Sequence, residues 1–145
     1  MAIFSKTCEY AIRAVFFIAQ CSSNGTRVGI KEISAGIGSP EFFLAKILQD
    51  LSRKGLISSI KGPNGGFYLS ELDARRPLSE IVEAVDGEGL FKGCALGLTQ
   101  CSEINPCPLH EEFKDIRSKI HLMLKNTTIN NFNEELLRGM LSLKR

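Results

Sequence analysis

Residues 56–70 read LISSI-KGPNG-GFYLS, two short runs of strand-like alternation around a five-residue loop of Lys, Gly, Pro and Asn. Gly and Pro punctuate the gap, and β-branched or aromatic side chains occupy both runs, so the stretch closes as a β-hairpin with a basic tip. A lone hairpin cannot be stable in water and must lean on neighbouring elements. The residues before it supply helices for that purpose.

The first helix is expected over residues 6–21, where Cys8, Ala11, Ile12, Val15, Phe16 and Ala19 recur at helical spacing. Residues 22–27 (SSNGTR) form a turn, and residues 30–37 a short second helix closed by Gly36 and Gly38. Ser39 as N-cap and Pro40 as first helical residue open a third helix, with Phe43, Ile47, Leu48 and Leu51 on its buried side and Gly55 at its end. Short helices followed by a hairpin with a basic tip make a winged helix-turn-helix pattern. The third helix is then the recognition helix and residues 61–65 the wing tip.

Beyond the hairpin, residues 77–85 (PLSEIVEAV) are amphipathic and stop at Gly87. Residues 89–108 show no period and hold Cys94, Cys101 and Cys107, so an irregular loop is expected, of a length that is unusual unless it has a function. Helical spacing returns from His110 to about Asn126, with Phe113, Ile116, Ile120 and Leu124 on one face, and a last helix is expected from about Ile129. Little chain remains to cover that face, and a second copy of the helix is the simplest cover, which predicts a homodimer. The fold class is therefore mainly α with a small β-hairpin wing: a winged helix-turn-helix domain (1–87), a cysteine-rich loop (88–109), and a dimerisation helix with a C-terminal helix (110–145).

Charge is divided unevenly. Residues 1–70 carry eight Lys and Arg against four Asp and Glu, whereas residues 71–145 carry ten against twelve. A basic first half suits a polyanionic partner, here double-stranded DNA. A recognition helix presents its N-terminal residues to base edges in the major groove, which makes Ser39, Glu41, Phe43 and Lys46 candidates. Glu41 could accept from a cytosine amino group and Lys46 donate to guanine or phosphate, while Phe43 is equally placed for the core. Arg53 and Lys54 are expected to grip phosphates. Lys61 and Asn64 stand at the wing tip, where glycines permit close approach and a long cation can enter the minor groove.

Five cysteines, three of them clustered, point away from a disulfide framework and towards metal or redox chemistry. Three thiolates on an irregular loop can bind an iron–sulfur cluster or zinc. His110 lies three positions after Cys107, one helical turn on, and completes a set of four donors. Structural zinc sites usually pair their ligands two to four residues apart, and only Cys107 and His110 are that close, so the spacing is unusual for zinc, while an iron–sulfur cluster and zinc both stay open on the residues alone. Cys8 and Cys21 are read as small buried hydrophobes and His121 as a surface residue.

These residues resemble a known family. Residues 53–67 (RKGLISSIKGPNGGF), the Tyr10-Ala11-Ile12-Arg13-Ala14 segment and the Cys94-x6-Cys101-x5-Cys107 triplet are similar, in the same order, to the recognition-helix end and wing, the first helix and the iron–sulfur loop of the IscR/NsrR (Rrf-two) family. The resemblance spans nearly the whole chain. It implies a dimeric DNA-binding transcription regulator, more often a repressor, whose operator affinity follows a cluster sensing cluster supply, iron, redox state or nitric oxide. It implies a two-iron (2Fe-2S) cluster on Cys94, Cys101, Cys107 and His110, or a four-iron (4Fe-4S) cluster with Glu9 donated by the partner subunit. Some relatives have five residues, not six, between the first two cysteines, which blurs the subtype.

Other functions remain to be weighed. The same fold could be gated by thiol oxidation, zinc or a small metabolite with no cluster. A small iron–sulfur electron carrier fits less well, because a carrier has no use for a groove-reading wing. No Ser-His-Asp set, phosphate loop or paired carboxylates suggest an enzyme. No run approaches a membrane span and no secretory leader is visible, so a cytoplasmic location is expected.

Overall fold

The computed structural model describes residues 3–145; Met1 and Ala2, which open the expected 1–87 domain, lie outside the described residues. The first helix, α1, runs over Lys6–Ser22 and is capped by Ser5, whose hydroxyl accepts from the Cys8 amide. Its buried side is Cys8, Ala11, Ala14, Val15, Ile18 and Ala19. The expected Ile12 and Phe16 flank this stripe and are only partly buried, Phe16 meeting Phe132 edge-on with ring centroids 6.2 Å apart. Helix α2 (Ile30–Ile37) ends at Gly38 in the left-handed conformation, and a Cβ on Gly36 would lie 2.2 Å from the Phe17 ring. Close approach of α1 and α2 therefore depends on that glycine.

Helix α3 spans Glu41–Arg53. Two expectations fail at its start. The N-cap is Pro40, in extended backbone, rather than Ser39, whose buried hydroxyl has no hydrogen-bond partner. The buried side holds Leu44 with Ile47, Leu48 and Leu51, while Phe43 is 57% exposed. The other three expected positions, Ile47, Leu48 and Leu51, are buried as read, so only the first place on the stripe passes from Phe43 to Leu44.

The hairpin consists of β1 (Ser58–Ile60) and β2 (Gly66–Tyr68), antiparallel, with Ser58 opposite Tyr68, Ser59 opposite Phe67 and Ile60 opposite Gly66. Val28 adds a short third edge, exchanging backbone hydrogen bonds of 3.0 and 2.7 Å with Phe67. The strands are shorter than expected because Leu56, Ile57 and Leu69 turn into the core. A one-turn helix, α4 (Glu71–Ala74), follows, fixed by a capping box between Ser70 and Asp73. Helix α5 (Leu78–Asp86) is ended by Gly87 at φ +74°.

The segment expected to be wholly irregular begins instead with a helical turn, α6 (Gly89–Lys92), anchored by buried Phe91; the rest, residues 93–109, has no regular structure. Helix α7 runs over His110–Asn126 as expected, but of its predicted apolar face only Leu124 is buried and Ile116 is 50% exposed. His121 is not a free surface residue: its ring stacks on Phe91 with centroids 4.1 Å apart. The last helix, α8, begins at Asn133, not Ile129, and ends at Leu137. Ile129 is fully buried instead, its amide bonded to the Arg76 carbonyl beside a bridge between Pro77 and Thr128.

One core unites these parts. It joins α1, α2, α3, the hairpin root and α5, with Phe91, Leu124 and Ile129 closing one side. Among the described residues no helix is long and apolar enough to cross a membrane.

Candidate nucleic-acid interface and cysteine centre

On α3, Glu41, Lys46, Gln49 and Arg53 are exposed as expected, and Phe42 and Phe43 are exposed with them. Phe42 and Phe43 meet edge-on, and the Lys46 ammonium lies 4.6 Å from the Phe42 ring centroid. Phe43 and Lys46 also line an open, mainly apolar groove of about 400 Å³ between α1 and α3, together with Tyr10, Pro40 and Ile47. Ser39 is buried and does not share this exposed side. Lys54 is engaged within the protein: its ammonium donates to the Ala84 carbonyl at 2.6 Å and lies 3.0 Å from the Asp50 carboxylate.

The wing is built by glycine. The Gly65 amide closes the turn onto the Gly62 carbonyl at 3.0 Å, and a Cβ on Gly65 would stand 2.0 Å from the Ile60 carbonyl oxygen. A side chain there would open the hairpin. Lys61 and Asn64 are exposed at the tip. The sequence reading missed Arg27, which donates to the Asn64 carbonyl at 3.2 Å and whose guanidinium carbon lies 6.0 Å from the Tyr68 ring centroid. Its only sequence signal is a lone cation between the SSNGT turn and Val28. Lys61 and Asn64 project from the hairpin while Lys46 and Arg53 project from the helix before it, so cations border both elements.

The four predicted donors, three on the loop and His110 at the start of α7, are arranged as two separate pairs. The Cys94 and Cys107 sulfurs are 3.7 Å apart, and the Cys101 sulfur is 3.3 Å from His110 Nδ1. His110 opens α7, its amide bonded to the Cys107 carbonyl at 3.0 Å. Its ring is 4% exposed, and Nε2 is buried without a hydrogen-bond partner. The amides of Leu96 and Leu98 donate to the Cys94 sulfur and, with smaller contributions from Cys107 and the Gly97 amide, hold its pKa below the ordinary thiol value. Arg117 of α7 donates to the Gly93 carbonyl and Lys114 pairs with Glu103, so two α7 cations hold the loop. Glu9 is outside this group, on the first turn of α1, with its carboxylate 3.4 Å from Lys6. Cys8, fully buried, is chemically separate: burial first, then Asp86 and Glu9, push its thiol up to about 12.

The donor set fits a soft metal group: three sulfurs and an imidazole whose second nitrogen is buried and unsatisfied. Among the described residues no three ligands converge as they would around a single ion. Two pairs are the arrangement a binuclear group asks of its protein, each metal taking two donors.

Comparison with known proteins gives a consistent picture. Residues 4–135 match the family Rrf2, described as iron-dependent transcriptional regulator. A protein of Aquifex aeolicus named as an HTH-type transcriptional regulator is 34% identical over 129 residues, covering 88% of both chains. The HTH-type transcriptional regulator IscR of Klebsiella pneumoniae is 28% identical over 131 residues, covering 89% of this chain and 79% of its own. Among solved structures, CymR, the global cysteine regulator of B. subtilis, superposes with a TM-score of 0.73 at 21% identity, covering 92% of this chain and 98% of its own. T. potens IscR does so with a TM-score of 0.71 at 19% identity, covering 95% and 90%. Both share the winged-helix fold.

Proposed function

This chain belongs to the Rrf2 family of DNA-binding transcription regulators, and on that premise we propose that it is a homodimeric repressor whose operator affinity is set by an iron–sulfur cluster on Cys94, Cys101, Cys107 and His110. The observation that carries this reading is the gathering of those four donors into two pairs on a loop held by α7. When bound, the group supplies redox and ligand-exchange chemistry at iron. The protein's own residues would hold it in place: the Leu96 and Leu98 amides favour the Cys94 thiolate, and buried His110 offers a ring nitrogen. The half-exposed Ile116 and Met123 on α7 support a second copy of that helix as their cover. Glu9 would complete the ligand set only from the partner subunit.

On the DNA side, Glu41, Phe43 and Lys46 would face base edges, Arg53 a phosphate, and Lys61 and Asn64 the minor groove. Lys54 is assigned to positioning rather than to phosphate, because its ammonium, though at the surface, already reaches the Ala84 carbonyl and Asp50.

A second reading has its own observation. The 3.7 Å approach of Cys94 and Cys107, with a Cys94 thiol of lowered pKa, suits a dithiol sensor. Hydrogen peroxide would take two electrons and two protons from the pair, closing a Cys94–Cys107 disulfide and leaving two waters.

An absorption spectrum with iron and acid-labile sulfide counts on anaerobically purified protein separates the two. Visible charge-transfer bands with equal iron and sulfide support the cluster. A chain still colourless after anaerobic reconstitution overturns it, and a Cys94–Cys107 disulfide in peptide mass spectra of that chain after peroxide treatment supports the dithiol.

A further inference from the structure

The last turn of α5 touches three other helices through residues within four positions of one another. The Glu83 carboxylate lies 3.9 Å from His121 Nε2 on α7. The Ala84 carbonyl accepts from Lys54, the C-cap of α3, at 2.6 Å. The Asp86 carboxylate accepts from both the amide and the hydroxyl of Ser5, the N-cap of α1, the amide contact being 2.9 Å. Immediately after Asp86, Gly87 turns the chain into α6, whose buried Phe91 stacks on His121, and the cysteine loop begins.

We propose that this α5 turn is the joint through which the cysteine loop acts on the recognition helix, with Lys54 as the positioning residue on the α3 side and Asp86 on the α1 side. The inference rests on the reading that the loop sets DNA affinity and supplies its route. A shift of the loop pulls on Gly93 and Phe91, and these are fixed to α7 and to the end of α5. Only three residues separate Asp86 from Leu90, so α6 cannot move far without moving the end of α5. The Lys54 ammonium crosses from α3 to the Ala84 carbonyl of α5, and its pairing with Asp50, one turn back on α3, orients it for that contact. Lys54 thus passes that movement to the end of the helix whose other side would meet DNA. A lysine that only gripped phosphate would need neither contact.

The test is a double-mutant cycle on the full chain, read as affinity for a fluorescein-labelled duplex selected by the wild-type protein from a random library. The four proteins are wild type, Cys101→Ser, Lys54→Met and the double variant. Cys101→Ser is expected to change affinity by a factor of about five or more in the wild-type background, as for a typical coupling between sites. In the Lys54→Met background that factor should shrink towards one, and Lys54→Arg should restore it. The salt dependence of Lys54→Met should match wild type. The same Cys101→Ser factor in both backgrounds overturns the joint while leaving the functional reading intact. A salt slope lower by about one reassigns Lys54 to a phosphate and also overturns it. No effect of Cys101→Ser in wild type sinks the functional reading, and the joint with it. Asp86→Asn provides an independent arm: an unchanged Cys101→Ser factor there removes Asp86 from the route.

Discussion

In the winged part of the chain, residues are placed by burial; in residues 93–109 they are placed by a handful of polar contacts. Leu44, Leu48, Leu51, Ile33 and Ile81 are wholly enclosed, and the helices that carry them have no freedom to shift independently. The cysteine loop has no such anchor. Leu96 and Leu98 are about half exposed and Ile104 is 98% exposed, while Arg117, Lys114 and two sulfur pairs do the holding. The contrast teaches a division of labour. One region is fixed by its own apolar surface. The other hangs on a few polar contacts, and under the proposed function it is the part that would change when its donors bind a metal group.

The largest effect expected of this contrast is chemical. At pH 8 iodoacetamide should label the three partly exposed loop cysteines of the iron-free chain before Cys8, by on the order of a thousandfold in rate, because thiolate is the reactive form. Mass spectrometry of the labelled peptides checks it; comparable labelling of Cys8 would mean the core opens as readily as the loop. The same thiol gives a pH signature. Cys8 ionises near 9.0 when unfolded but only at about 12 when folded, so unfolding releases its proton and stability should decline as pH rises through that window.

Next in size is Leu48→Ala, expected to cost about 2–5 kcal/mol in chemical denaturation, since the fully buried side chain leaves a cavity. A loss below about 1 kcal/mol would show a core softer than its burial suggests. Lys61→Ala should weaken DNA binding several-fold and lower the log–log salt slope by about one. An unchanged slope would remove the wing tip from the interface. The smallest effect sharpens the comparison most: Cys101→Ser should change the stability of the iron-free chain by no more than about 0.5 kcal/mol, as at other sites away from the core. A larger loss would make the loop part of the fold rather than its responsive addition.

The same division governs what could be read from the amino acids. The hairpin, α1, α2, α5 and α7 were legible because caps, glycines and period mark them strongly. On α3 Ile47, Leu48 and Leu51 were legible too, and only the first buried position was misread, Leu44 taking the place that Phe43 was given. Helix α4 was overlooked although Ser70 and Asp73 carry a capping signal, since four residues are too few to show a period. In the site, the cysteine triplet and His110 stood out by type and spacing, whereas the roles of Arg27 and Lys54 depend on backbone carbonyls that no side-chain pattern announces.

The glycine frame of the wing has a consequence for how such a protein could diverge. Gly65 and Gly66 cannot take a side chain without striking Ile60 or Val28, so descendants must keep them or lose the hairpin. Lys61, Pro63 and Asn64 are exposed beyond that frame. A lineage could therefore exchange those tip residues one at a time, altering whatever surface the wing presents, while the fold that carries them stays fixed.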